Sequence, residues 1–136
     1  MINVFTDGSC IGNPGRGGYG VVIKGLIDEP LELSGGEAHT TNNRMEMSAV
    51  LQAFCKLNEF GIKNAKIVVQ TDSLLIVNTF TKNWKRKENK DLWALIEEQY
   101  MKLYSNENQI DFKWIKGHNG HPENERCDFL AKRAAN

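Results

Sequence analysis

Residues Ala65 to Thr71, with Ile67-Val68-Val69 at their centre, run apolar without the alternation of a half-solvated strand, and this constrains the fold more than any other stretch. A strand buried on both faces needs cover above and below, so helices must flank the sheet that contains it. The chain before and after supplies them. Residues 2–7 alternate as a strand, Asp7-Gly8-Ser9 through Gly18 forms a dense turn signal, and Tyr19–Lys24 and Leu31–Ser34 read as two further strands of an antiparallel meander. Thr40 to Asn43 offer helix N-caps, after which Met47, Val50, Leu51, Phe54 and Leu57 recur at helical spacing until Gly61. Ser73–Thr81 and Asp91–Tyr104 read as helices, Ile110–Trp114 alternates as a fifth strand, and Gly117 to His121 reads as a mobile loop. Pro122 starts a last helix that carries Cys127, Leu130, Ala131 and Ala134 inward. The order βββ-α-β-α-α-β-α defines an α/β fold with a mixed sheet and helices packed on it.

No repeat, low-complexity tract or linker divides the 136 residues, so residues 1–136 read as a single domain. A chain of that length buries roughly two-thirds of its unfolded surface, enough for a core without disulfides or a structural metal. The 17 Lys and Arg balance the 17 Asp and Glu. That excludes a histone-like binder, whose affinity rests on excess positive charge, and a disordered polyelectrolyte. The balance is local in origin, because residues 82–90 hold Lys82, Lys85, Arg86, Lys87 and Lys90 against Glu88 alone. The start of the chain shows no export signal and no apolar run nears the roughly 20 residues of a membrane span, so we expect a soluble, cytoplasmic protein. Cys10, Cys55 and Cys127 are odd in number and form no C-x-x-C pair, which reads as free thiols.

Asp7 and Asp72 each close a predicted strand and precede a small residue, Gly8 or Ser73. If those strands are parallel neighbours, both carboxylates emerge at the carboxyl edge of the sheet, where open α/β sheets bind ligands. Glu46 lies about 20° outside the apolar arc of the long helix and can point over the same edge. Asp128 shares a helix face with Asn124 and follows the inward Cys127. Carboxylates gathered in this way are costly unless a cation neutralises them, and oxygen ligands select Mg²⁺ or Mn²⁺ over zinc.

The strings Thr6-Asp7-Gly8-Ser9-Cys10-Ile11-Gly12-Asn13-Pro14-Gly15, Thr40-Thr41-Asn42-Asn43-Arg44-Met45-Glu46, Thr71-Asp72-Ser73 and Lys116 to Asp128 (KGHNGHPENERCD) resemble those of bacterial-type ribonuclease H type 1, in family order over nearly the whole chain. The resemblance implies the ribonuclease H fold, a five-stranded mixed sheet in the order 3-2-1-4-5 flanked by helices. It implies endonucleolytic hydrolysis of the RNA strand of RNA–DNA hybrids by two metal ions, Mg²⁺ or alternatively Mn²⁺, leaving 5′-phosphate and 3′-hydroxyl ends. By the same match Asp7, Glu46, Asp72 and Asp128 bind the metals and His118 is the catalytic histidine, while His121 reads as structural. Cys10, Asn13, Asn42 and Asn43 fall beside the RNA strand, with Thr41 and Arg44 as weaker contacts. The RNA–DNA hybrid is then the one partner needed, and a monomer the default state.

The match fails between Lys82 and Asp91, about ten residues too short for the extra helix and basic protrusion of the bacterial pattern. Trp84, Lys85, Arg86 and Lys87 remain as candidates for a residual contact to the DNA strand. Leu74 and Leu75 replace polar and aromatic residues usual after Asp-Ser, so family contacts there do not transfer. From this shortening we expect weak hybrid affinity with a steep salt dependence. Two other classes compete: a catalytically silent hybrid-binding module, and an integrase-like DNA strand-transfer nuclease on the same fold.

Overall fold

The structure is a computed structural model that describes residues 1–83, 85–116 and 121–136. Two sequence candidates, Trp84 and His118, lie outside the described residues, as does most of the predicted loop from Gly117 to His121. The elements follow the predicted order: β1 (Ile2–Ile11), β2 (Gly15–Lys24), β3 (Leu31–Thr40), α1 (Asn42–Glu59), β4 (Lys66–Thr71), α2 (Leu74–Thr81), α3 (Lys90–Ser105), β5 (Gln109–Trp114) and α4 (Pro122–Ala135). They form one sheet in the order β3-β2-β1-β4-β5, antiparallel across β1 to β3 and parallel from β1 through β4 to β5.

The sheet is covered on both faces, but β4 itself is not buried on both as its apolar run predicts: Ile67, Val69 and Thr71 are buried while Val68 and Gln70 are only half-buried, because the second layer of cover lies over β1 and β2. Val4, Val21, Ile23, Ile67 and Val69 face a core closed by Met47, Val50, Phe54 and Leu57 of α1, Ile76 of α2 and Ile96 and Leu103 of α3. On the opposite face Phe5 and Val22 meet Cys127 and Leu130 of α4. Successive β1 side chains alternate between these two layers, as the strand period requires. An aromatic cluster ties the far edge of the first layer together: Phe80 stacks on Phe112 at 4.2 Å between ring centroids and lies 5.2 Å from Tyr100 and 5.9 Å from Trp93.

Three boundaries differ from the sequence reading. The first three strands are each 10 residues long, so Gly15 to Gly18, read as turn, are strand residues, Arg16 to Gly18 paired with β1 and Gly15 with Thr40 of β3. Glycine punctuates a sequence locally, but here its role is room: a Cβ on Gly20 would lie 2.9 Å from Leu130 Cβ, and it would collide with the Cys127 carbonyl. At the end of α4 it is Ala135 that is buried, with Ala134 only half-buried. Trp114 breaks the burial alternation of β5 and is half-exposed, its indole N–H donating to the Asp72 carbonyl at 3.1 Å.

Candidate functional site

The parallel pairing of β1 with β4 ends at Thr6 opposite Thr71. Asp7 and Asp72 are the next residue of each strand, which brings them to one edge without the end of β1 that the sequence reading assumed, since β1 continues to Ile11 against β2 alone. Glu46 arrives from above, on the first turn and a half of α1. Gly8 sets that approach, because a Cβ there would stand 2.5 Å from the Glu46 amide nitrogen. The Asp7, Glu46 and Asp72 carboxylates each offer an oxygen within 4.8 Å of the other two.

This clustering has an electrostatic signature. Burial pushes the Asp7 carboxyl up to about 8, repulsion from Asp72 adds to it, the Gly8 amide donating at 2.9 Å opposes it, and Glu46 and Asp128 push further upward. Burial and then Asp72 raise Glu46 to about 7, against a hydrogen bond from the Ser73 hydroxyl. Ser73 is thereby shared, since its oxygen also caps α2 by accepting from the Ile76 amide at 3.3 Å. Carboxyls held this far above their usual range lack a compensating positive charge, and an all-oxygen set is the donor chemistry of a hard divalent cation. The residues present fit such an ion.

Asp128 stands apart from the three. It sits on α4, across the sheet, where the odd-numbered β1 side chains point. Its carboxylate pairs with Lys132 at 3.0 Å. The helix is fixed beside Asp7 from below: Cys127 is fully buried with its thiol donating to the Phe5 carbonyl at 3.3 Å, and burial pushes that thiol far up, so it stays protonated. Gly20, the β2 residue opposite Asp7, and Gly18 two residues before it leave the room in which α4 rests. Asn124, one turn before Asp128, is buried.

The proposed RNA-facing residues also come together. The Asn13 side-chain oxygen accepts from the Asn42 amide at 2.9 Å, joining the β1–β2 turn to the start of α1. Thr41 is the N-cap, its hydroxyl oxygen accepting from the Arg44 amide at 3.2 Å. The Cys10 thiol donates to the Thr40 carbonyl at 3.3 Å, and Asn42 and Asn43 are exposed beside it. A cleft of about 350 Å³ lies among Asn13, Thr41, Asn42, Asn43, Glu88 and Asn89.

The basic segment is less available than its charges suggest. Arg86 pairs with Glu97 and lies 5.8 Å over the Trp93 ring. Arg44 forms a bidentate pair with Asp91 at 3.1 and 2.8 Å, which holds the Asp91 carboxyl down at about 2. Lys85 and Lys87 line a groove of about 500 Å³ with Asn43, Leu75 and Trp93. The salt slope of nucleic-acid binding scales with the number of phosphates neutralised, so few available cations make it shallow. These pairs argue for a shallower salt dependence than the sequence reading expects, a difference that titration of hybrid against salt decides. Sequence reasoning also missed Ser73, Asn89, Asp91 and Lys132. The i, i+4 spacing of Asp128 and Lys132 carried a signal, whereas the 47-residue separation of Arg44 and Asp91 carried none.

Known proteins fit this arrangement. The RNase H family profile matches residues 1–136. A ribonuclease H of Pseudoalteromonas atlantica is 42% identical over 147 aligned positions, covering 98% of this chain and 90% of the relative. A ribonuclease HI of Haemophilus ducreyi is 43% identical over 148 positions, covering 99% and 90%. Among solved structures, LC11-RNase H1 in complex with RNA/DNA hybrid superposes with a TM-score of 0.84 at 32% identity, covering 99% of this chain and 96% of its own. With the strand order, the carboxylate cluster and a family match over its full length in agreement, the chain belongs to the ribonuclease H family.

Proposed function

We propose that this protein hydrolyses the RNA strand of RNA–DNA hybrids endonucleolytically, leaving 5′-phosphate and 3′-hydroxyl ends. The observation that carries the reading is the meeting of Asp7, Glu46 and Asp72 within 4.8 Å on a ribonuclease H frame. Asp7, Glu46 and Asp72 would hold one divalent ion, and Asp7 with Asp128 a second. Mg²⁺ is the ion we assign, with Mn²⁺ as its substitute. Such ions, when bound, supply a water of lowered pKa and neutralise charge at the phosphoryl group. The rest falls to the chain itself. His118 has the side chain suited to moving a proton near neutral pH. Cys10, Asn13, Asn42 and Asn43, with Thr41, face the wide minor groove, where uncharged amides can both donate to and accept from 2′-hydroxyls. Lys85 and Lys87 are the assigned contacts to the DNA strand, with Trp84 as a candidate from the same segment, while Arg86 is held on Glu97. The hybrid is the only partner required, and the enzyme acts as a monomer. None of the described helices is long and apolar enough to cross a membrane.

Incubating labelled RNA–DNA, RNA–RNA and DNA–DNA duplexes with Mg²⁺ or Mn²⁺ tests the proposal. We expect cleavage of the RNA in the hybrid only, and a loss of about 10³-fold or more in Asp72→Asn, the scale of removing a group that stabilises transition-state charge. Cutting of DNA would favour the integrase-like reading, hybrid binding without cutting the silent module. Full-rate cleavage by Asp72→Asn would overturn the metal-site assignment.

A further inference from the structure

We propose that Arg44 and Asp91 form a clamp that positions residues 85–90 for hybrid binding, so that Arg44 acts by holding this segment and not by touching phosphate. The proposal rests on the hybrid-cleaving reading above. One guanidinium serves three oxygens: Nη1 donates to Asn89 Oδ1 and Asp91 Oδ1, each at 3.1 Å, and Nη2 to Asp91 Oδ2 at 2.8 Å. Its root is fixed as well, because the Arg44 amide donates to the Thr41 cap.

Asn89 reveals what the clamp does. It occupies the N-cap position of α3, yet its side chain makes no capping hydrogen bond, and its backbone is left-handed at φ 56°. An asparagine at an N-cap normally accepts from its own helix. Here that oxygen is turned across to α1 and given to Arg44. At the other end Arg86 is anchored to Glu97 and over Trp93. The short stretch between is thus pinned at both ends, and Lys85 and Lys87 line a groove that Asn43 closes from the α1 side. Asn43 precedes Arg44 directly, so the same turn carries an RNA-facing amide and the clamp for the basic segment. In a chain without the longer protrusion, this pinning replaces the missing scaffold.

The pair is a weak candidate for mere stability, since the Asp91 side chain is 65% exposed and surface ion pairs contribute little to folding. Arg44 is equally weak as a phosphate ligand, because a phosphate would have to displace a bidentate carboxylate.

Asp91→Asn separates the readings. If Arg44 were a phosphate contact, freeing it and adding a unit of positive charge would tighten binding. The clamp requires the opposite. Hybrid binding by fluorescence anisotropy in EDTA and steady-state cleavage should show Kd and KM raised about tenfold, the effect of one lost ordered contact, with kcat within about twofold. The melting temperature should hardly move, and the reversed pair Arg44→Asp with Asp91→Arg should recover most of the affinity. Unchanged or tighter binding by Asp91→Asn, or a loss of affinity that the reversed pair fails to recover, would overturn the clamp. If the wild-type protein binds hybrid without cleaving it, the functional reading fails while the binding comparison still decides the clamp.

Discussion

Asp7 pulls folding and function in opposite directions. Its carboxyl titrates about 4 units above the ordinary value of 3.8, so between pH 4 and 8 the folded state binds a proton that the unfolded chain has released. Stability of the metal-free protein therefore falls as pH rises through that window. Glu46, raised to about 7, adds a slope of the same sign. Asp7→Asn removes the larger part. In EDTA at pH 8 we expect this variant to melt higher than wild type by about 5 °C, equivalent to about 1–2 kcal/mol for a domain of this size, and to be inactive. Thermal melts from pH 5 to 8 check it, and a variant that melts lower at pH 8 would show that the carboxylates are not in mutual repulsion. Legibility at this scale was uneven. Asp72 and Glu46 could be placed from a strand end and a helical angle, and Asp7 reaches the same edge where the pairing of β1 with β4 stops, not where β1 ends as read. The sharing of Ser73 between Glu46 and α2, and the pairing of Arg44 with Asp91, depend on side-chain rotamers that no period encodes.

At the scale of elements, α4 and its seat on the sheet matter most for the site. Three carboxylates come from β1, β4 and α1, but Asp128 is delivered by a helix on the other layer. Its placement depends on Gly20 having no side chain. Gly20→Ala forces α4 away from β2, an overpacking that costs about 1–3 kcal/mol and lowers the melting temperature by about 5–10 °C. Activity measured well below that melting point should fall further than the folded fraction does. Equal activity per folded molecule would mean that the α4 seat does not set the position of Asp128. This seat also explains where element reading went astray. Gly15, Gly17 and Gly18 look like turn residues one at a time, and only contacts distant in sequence, Thr40 and Met45 for Gly17 and Ala131 and Ala135 of α4 for Gly18, show why glycines stand in this strand. The helices and β4 were legible because their apolar periodicity is local, and so was their order.

For the whole molecule, the zero net charge conceals an acidic cluster at the sheet edge and a basic stretch over residues 82–90. Two arginines are already paired, Arg44 with Asp91 and Arg86 with Glu97. With two to four lysines left to neutralise phosphate, a plot of log affinity against log salt should have a slope between about −2 and −4. Titrations of a hybrid at several salt concentrations measure it, and a slope steeper than about −6 would mean that the paired arginines exchange their carboxylates for phosphate. Composition alone could not anticipate this, because it counts charges without showing which are already matched. The sheet order was legible through the family strings, and the ion pairs across it were not.

The division of the four carboxylates between two layers has a consequence in time. A chain emerging from the ribosome presents β1, α1 and β4 first, and the pocket of Asp7, Glu46 and Asp72 can assemble from them. Asp128 arrives only with α4, the last element in chain order, after every strand of the sheet has been made. With Asp128 in its proposed role, docking of a single helix onto Gly18 and Gly20 is the step that completes the set.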